Sequence, residues 1–147
     1  MKIIIGIAIL AILAILAGMF YLVSQDSNKN NPEMVQSLKS DYTDISVSEL
    51  KQMLENKDFR LVDVHIPEQQ HILNTDNMIA YNDVEKFISE FPNKNEKVVL
   101  YCRSGGMSRT LSQKLIFQGY TNIYNLEGGL NAWQSEGNPT AAIGSLD

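Results

Sequence analysis

The sequence predicts an α/β domain built on a parallel sheet with helices on both faces, preceded by one N-terminal transmembrane helix. Three observations predict it. Residues Ile3–Val23 form an unbroken apolar run of 21 residues, which at 1.5 Å per residue spans a hydrocarbon core of about 30 Å. From Tyr42 onward, short apolar runs alternate with segments of helical period through short loops, the pattern of a parallel sheet with helical crossovers. The only cysteine, Cys102, falls at a strand-to-helix turn, and ligand sites of open parallel sheets lie at the carboxyl ends of strands.

The chain divides by composition into an anchor over residues 1–23, a polar tether over 24–41, a domain over 42–140 and a tail over 141–147. The anchor is too long for the apolar region of a cleaved signal peptide, usually about 7–15 residues, and Phe20-Tyr21 add an interfacial aromatic pair. Leu16-Ala17-Gly18 is followed by Met19 instead of cysteine, which excludes lipidation there. Lys2 and the α-amino group precede the run, so the positive-inside rule places the domain on the extracytoplasmic side of a membrane it is anchored to in a single pass.

Within the domain, Ser46-Val47-Ser48-Glu49 fits a capping box, and a helix follows to about Asn56 with Leu50, Met53 and Leu54 inward. Arg60–His65 reads as a strand and Pro67–Asn77 as a loop without period. Met78-Ile79-Ala80 reads as a short strand. Asn82 is placed to cap a helix carrying Val84, Phe87, Ile88 and Phe91 on one face, ended by Pro92-Asn93. Val98-Val99-Leu100 is a buried strand and Thr110–Phe117 a helix that Gly119 ends. Thr121–Leu126 is the last strand, and Glu127-Gly128-Gly129 turns it into a helix from Leu130 to Glu136, with Trp133 as a core anchor.

Composition excludes several function classes. The formal net charge is -5 with no Lys/Arg run, which argues against a nucleic-acid binder. One cysteine and two histidines, His65 and His71, leave neither an internal disulfide nor a zinc-ligand pattern. Asp41, Asp44, Glu85 and Glu90 are scattered on predicted solvent faces. The expected site therefore holds no metal and no cofactor.

Chemistry concentrates on Cys102-Arg103-Ser104-Gly105-Gly106-Met107-Ser108. Glycines at 105 and 106 allow loop N–H groups to turn inward as an anion nest, and the helix start and the two arginines, Arg103 and Arg109, favour a thiolate. The sequence resembles the single-domain rhodaneses, which are sulfurtransferases, in three places taken in order. Leu61-Val62-Asp63-Val64 is like the family strand ending in Asp-Val-Arg, Cys102–Met107 is like its six-residue active-site loop, and Leu126–Trp133 is like its Gly-Gly-x-x-x-Trp ending.

The resemblance implies that Cys102 is the nucleophile. It takes a sulfane sulfur from a donor such as thiosulfate, holds it as a persulfide and passes it to cyanide or a thiol. Arg103, Ser104, Gly105, Gly106, Met107 and Ser108 then form the substrate-binding loop. The alternative is a rhodanese-like module without turnover that docks a partner or carries sulfane sulfur. Cysteine phosphatases of related fold need an arginine where this chain has Ser108; Arg109 comes one place later and, at about 100° per residue, points away.

Departures from the family are specific. His65 stands where arginine is usual, and His71-Ile72-Leu73-Asn74-Thr75 replaces Gly-His-Ile-Pro-Gly, while Glu68 keeps the acidic position. Asp63 and His65, both at a strand end, are possible pocket residues. Asp63 reads more simply as a hydrogen-bond acceptor, and His65 as either a pH-sensitive pocket residue or a packed structural histidine.

Overall fold

The computed structural model describes residues 42–145. The apolar run Ile3–Val23 and the tether over residues 24–41 lie outside the described residues, and among the described ones no helix is long and apolar enough to cross a membrane.

Five strands form one wholly parallel sheet in the order β1-β6-β5-β2-β4. They are β1 (Thr43–Ile45), β2 (Arg60–Asp63), β4 (Asn77–Met78), β5 (Val98–Tyr101) and β6 (Ile123–Leu126). A separate antiparallel pair, β3 (His71–Ile72) with β7 (Thr140–Ala141), sits beside it. The helices are α1 (Val47–Glu55), α2 (Val84–Glu90), α3 (Gly106–Phe117) and α4 (Gly129–Ser135).

Successive side chains of a strand point to opposite faces, and here they divide two cores. Val98 and Leu100 of β5 join Val62, Phe87, Leu111 and Leu115 under α2 and α3. Val99 and Tyr101 join Leu61, Leu50, Leu130 and Trp133 under α1 and α4. All four β5 residues are buried, which is why this strand reads as a continuous apolar run instead of an alternating one. Helices on both faces leave the carboxyl ends of β2 and β5 side by side, in register from Arg60↔Val98 to Asp63↔Tyr101.

The capping box at Ser46 is present, with Glu49 N–H donating to Ser46 Oγ at 3.3 Å and Ser46 N–H to Glu49 Oε2 at 2.7 Å. Several element boundaries differ from the sequence expectation, four of them with a clear physical reason. The residue that caps α2 is Asp83, not Asn82; its carboxylate accepts from Lys86 N–H at 3.0 Å. Helix α3 starts at Gly106, four residues before Thr110, because Gly105 takes a left-handed conformation (φ 88°) that redirects the chain at once into the helix. Strand β2 stops at Asp63, whose carboxylate folds back to accept the N–H of His65 at 2.9 Å. The period-free stretch Pro67–Asn77 contains β3 and the start of β4; both are two residues long, too short to show alternation.

Candidate functional site

Cys102 follows β5 directly and is 2 % exposed. Its Sγ accepts the N–H of Gly105 at 3.2 Å and faces the hydroxyl of Ser108 at 3.6 Å, a hydroxyl that also donates to Gly105 O at 3.2 Å. The sulfur is thus met by donors from the turn and from the first helical turn. Gly106, Met107 and Ser108, as the first residues of α3, carry N–H groups without an intrahelical acceptor.

The loop is held from below by α4. Leu130 N–H donates to Cys102 O at 2.8 Å and Asn131 N–H to Arg103 O at 2.9 Å. This contact needs Gly129: a Cβ there would stand 2.2 Å from Cys102 O, and its φ is +56°. A Cβ at Gly128 would stand 2.7 Å from the Ala132 Cβ, again at positive φ. The sequence reading gave these glycines only a tight turn. The larger role of Gly129, allowing the start of α4 to dock on the loop after β5, depends on a partner 27 residues away and leaves no local signal.

A cavity of about 340 Å³ opens above the sulfur, lined by His65, Tyr81, Cys102, Arg103, Ser104, Gly106, Met107 and Thr110. It brings together five residues of the predicted loop and His65. Gly105 and Ser108 are buried behind the sulfur, and Asp63 is buried away from the cavity. Arg103 is exposed at the rim, and Arg109 is exposed outside it. Tyr81 and Thr110 were not singled out from sequence; only the fold brings them to the mouth. A larger hollow of about 520 Å³ at Ala80 and Asn82–Glu85 offers the carboxylates of Asp83 and Glu85, the former engaged in capping α2. Among the described residues, no group of three or more His, Cys, Asp or Glu could hold a metal ion.

The two histidines differ sharply. His71 is fully buried, with Nδ1 3.0 Å from Asp63 Oδ2 and Nε2 3.2 Å from Glu68 Oε1, and Glu68 Oε1 also accepts Gly144 N–H at 2.8 Å. Asp63 further accepts Gln69 Nε2 at 3.1 Å. Burial pushes the Asp63 carboxyl up, against the pull of these donors, whereas the Gly144 N–H and then His71 hold Glu68 below its usual range. Tyr101 adds to the same wall, its hydroxyl accepting Ile72 N–H at 3.1 Å and pairing with Thr75 Oγ1 at 2.8 Å. The segment His71–Thr75 is therefore an ordered part of the wall beside β2.

His65 is 7 % exposed, and neither ring nitrogen has a hydrogen-bond partner among the described residues. It is packed, as expected for a structural histidine, but lacks the hydrogen bonds that would fix one. Burial first, then the positive charge of Arg103, hold its pKa below the usual value, with Asp63 opposing.

Comparison with known proteins matches residues 46–136 to the rhodanese-like domain. The chain is 34 % identical over 94 residues to a sulfurtransferase of Allochromatium vinosum, covering 63 % of this chain and 87 % of that protein. It is 29 % identical over 103 residues to the thiosulfate sulfurtransferase GlpE of Coxiella burnetii, covering 68 % and 94 %. Among solved structures, it is similar to a rhodanese-like domain protein from Staphylococcus aureus at 30 % identity and a TM-score of 0.55, covering 62 % of this chain and 90 % of that one.

Proposed function

The chain belongs to the rhodanese-like domain family, and from that premise we propose that it is a sulfurtransferase working through a persulfide on Cys102. The observation that carries this reading is a thiol on the cavity floor that accepts a backbone N–H at 3.2 Å and faces a hydroxyl, with a guanidinium at the rim. A sulfur nucleophile that alternates between thiolate and persulfide is an anion throughout, and it needs such donors in both states.

In the first half-reaction the Cys102 thiolate attacks the outer sulfur of thiosulfate or a related donor. The donor S–S bond breaks and sulfite leaves with the electron pair. Arg103 attracts and orients the anionic donor, and N–H groups of the loop balance the charge. In the second half, cyanide or a thiolate attacks the sulfane sulfur and Cys102 regains its pair. Ser108, buried behind the sulfur where a phosphatase would need arginine, speaks for sulfur chemistry over phosphoester hydrolysis. Cys102→Ser is expected to abolish thiocyanate formation from thiosulfate and cyanide; undiminished turnover in that variant rules the reading out.

We also propose that Ile3–Val23 anchors this activity to a membrane with the domain on the extracytoplasmic face. A 21-residue apolar run preceded by Lys2 supports it. The full chain should sediment with membranes after alkaline washing, and external protease should digest the domain in intact spheroplasts. A domain protected until lysis would reverse the orientation.

A further inference from the structure

The cavity above Cys102 has two sides of opposite character. On one stand the exposed Arg103 guanidinium, Ser104 and the N–H groups that begin α3, all suited to an anion. On the other stand Tyr81 and Met107, both packed against the core under α2 and α3 yet only partly buried. What is left open of them borders the cavity. The turn that carries Tyr81 is fixed by its own N–H, which donates to Val64 O at 3.0 Å. Lys114 Nζ stands 5.9 Å from the centre of the Tyr81 ring, a cation that steadies the ring from outside the cavity lining.

Thiosulfate uses only the first side. It is a dianion without a carbon atom and has the bulk of three or four waters, roughly 100 Å³ in all, in a cavity of about 340 Å³. It leaves Tyr81 and Met107 facing water, and it brings two charges to a lining whose one cationic side chain, among the described residues, is Arg103. His65 adds none at neutral pH, because burial first and Arg103 second hold its pKa below the ordinary 6.5. Cavities that take small organic molecules combine apolar lining with a few polar groups and begin near about 300 Å³. Resting on the sulfurtransferase reading, we infer that the donor this site is shaped for is an organic thiosulfonate, R–SO2–S⁻, whose carbon group lies on Tyr81 and Met107 and whose single charge meets Arg103. An organic persulfide carries the same charge but has no oxygens for the guanidinium fork, which matches paired oxygens best.

The step needs no outside oxidant or reductant. The Cys102 thiolate attacks the outer sulfur of the thiosulfonate, and a new S–S bond forms. The bond between that sulfur and the sulfonyl sulfur breaks, and the sulfinate R–SO2⁻ leaves with the electron pair. Cys102 is left as a persulfide anion, so one negative charge stays on the protein, one departs and no proton moves. The carbon group takes no part in bonding; it adds affinity by leaving water for the Tyr81 ring.

The test uses the full chain, wild type and the variants Tyr81→Phe and Tyr81→Ala, with benzenethiosulfonate and methanethiosulfonate as donors and cyanide as acceptor. Thiocyanate formation gives kcat/KM for each donor. The ratio between the donors, followed from variant to variant, cancels their different intrinsic reactivity. That ratio should stay within about twofold in Tyr81→Phe and fall by about tenfold in Tyr81→Ala, the low end of what burying a phenyl-sized group gains. Binding without chemistry is read from the unreactive sulfonates: benzenesulfonate should inhibit the wild type at about a tenth of the concentration that methanesulfonate needs. This second measurement keeps the proposal falsifiable if the alanine variant unfolds. A donor ratio that survives Tyr81→Ala in a folded protein overturns the assignment, and so does equal inhibition by the two sulfonates. If thiosulfate loads Cys102 and neither thiosulfonate does, the assignment fails while the sulfurtransferase reading stands. A chain that gains no sulfur from thiosulfate or from either thiosulfonate removes that reading itself.

Discussion

Two segments meet at the cavity, the second reaching it only through His65, and they are built from different kinds of bond. On one side, the loop from Cys102 to Ser108 is fixed by main chain: α4 amides hold Cys102 O and Arg103 O, and the Gly105 N–H turns onto the sulfur. On the other side, the segment from Asp63 to Thr75 is fixed by side chains, with Asp63, Gln69, His71 and Glu68 linked to one another and Thr75 to Tyr101. A wall made of main chain keeps its donors whatever the neighbouring side chains are, provided the glycines remain. The side-chain wall depends on each residue's identity. Cys102 sits on the first and the unpartnered His65 on the second.

Substitutions separate the walls in order of expected effect. Gly129→Val should be the most damaging, costing at least about 3 kcal/mol from a strained left-handed residue and a side chain driven into Cys102 O. Urea unfolding would measure it, and a shift below about 1 kcal/mol would mean that α4 does not press on the loop. Asp63→Ala strips the acceptor from the His65 N–H, the Gln69 amide and His71. It should cost about 2–3 kcal/mol while leaving persulfide loading of the folded fraction intact. Equal loss of loading would show that the walls are coupled.

His65→Phe removes two unpartnered nitrogens and should raise stability by about 1 kcal/mol. Its pH dependence has a definite sign. Folding depresses the His65 pKa below its ordinary 6.5, so as pH falls through that value the unfolded chain takes up a proton the folded chain refuses. Wild-type stability is then lost with falling pH until the folded-state pKa is passed. The melting temperatures of His65→Phe and wild type should therefore diverge between neutral and mildly acidic pH; convergence would contradict a buried neutral ring. Phe117, at the end of α3 and 83 % exposed, touches neither wall. Phe117→Ser should change stability by no more than about 0.5 kcal/mol and leave sulfur transfer unaltered, as thermal unfolding and turnover would check.

The main-chain wall was the legible one. A lone cysteine followed by Gly105 and Gly106 between an apolar strand and a helix announces its turn, since glycine is the residue that relieves left-handed backbone. Leu61-Val62 and Val98–Leu100 announce their strands by short apolar runs. What Gly129 does was hidden because its contact is with a distant carbonyl. The side-chain wall was nearly illegible, since nothing in the order Glu68-Gln69-Gln70-His71 tells which donors will find Asp63. Strands β3 and β7 pair over only two residues, and their pairing is tertiary, not periodic. The difference between His65 and His71 is likewise one of partners, which only the folded chain defines.

The claim that Cys102 is a sulfur-carrying nucleophile is tested most directly by intact mass after exposure to thiosulfate, followed by addition of cyanide. The expected result is a gain of about 32 Da, one sulfur, on wild type and none on Cys102→Ser, with complete loss of the added mass and release of thiocyanate when cyanide is added. Retention of the added sulfur in cyanide would mark a carrier without turnover. A chain that stays at its original mass would contradict the account.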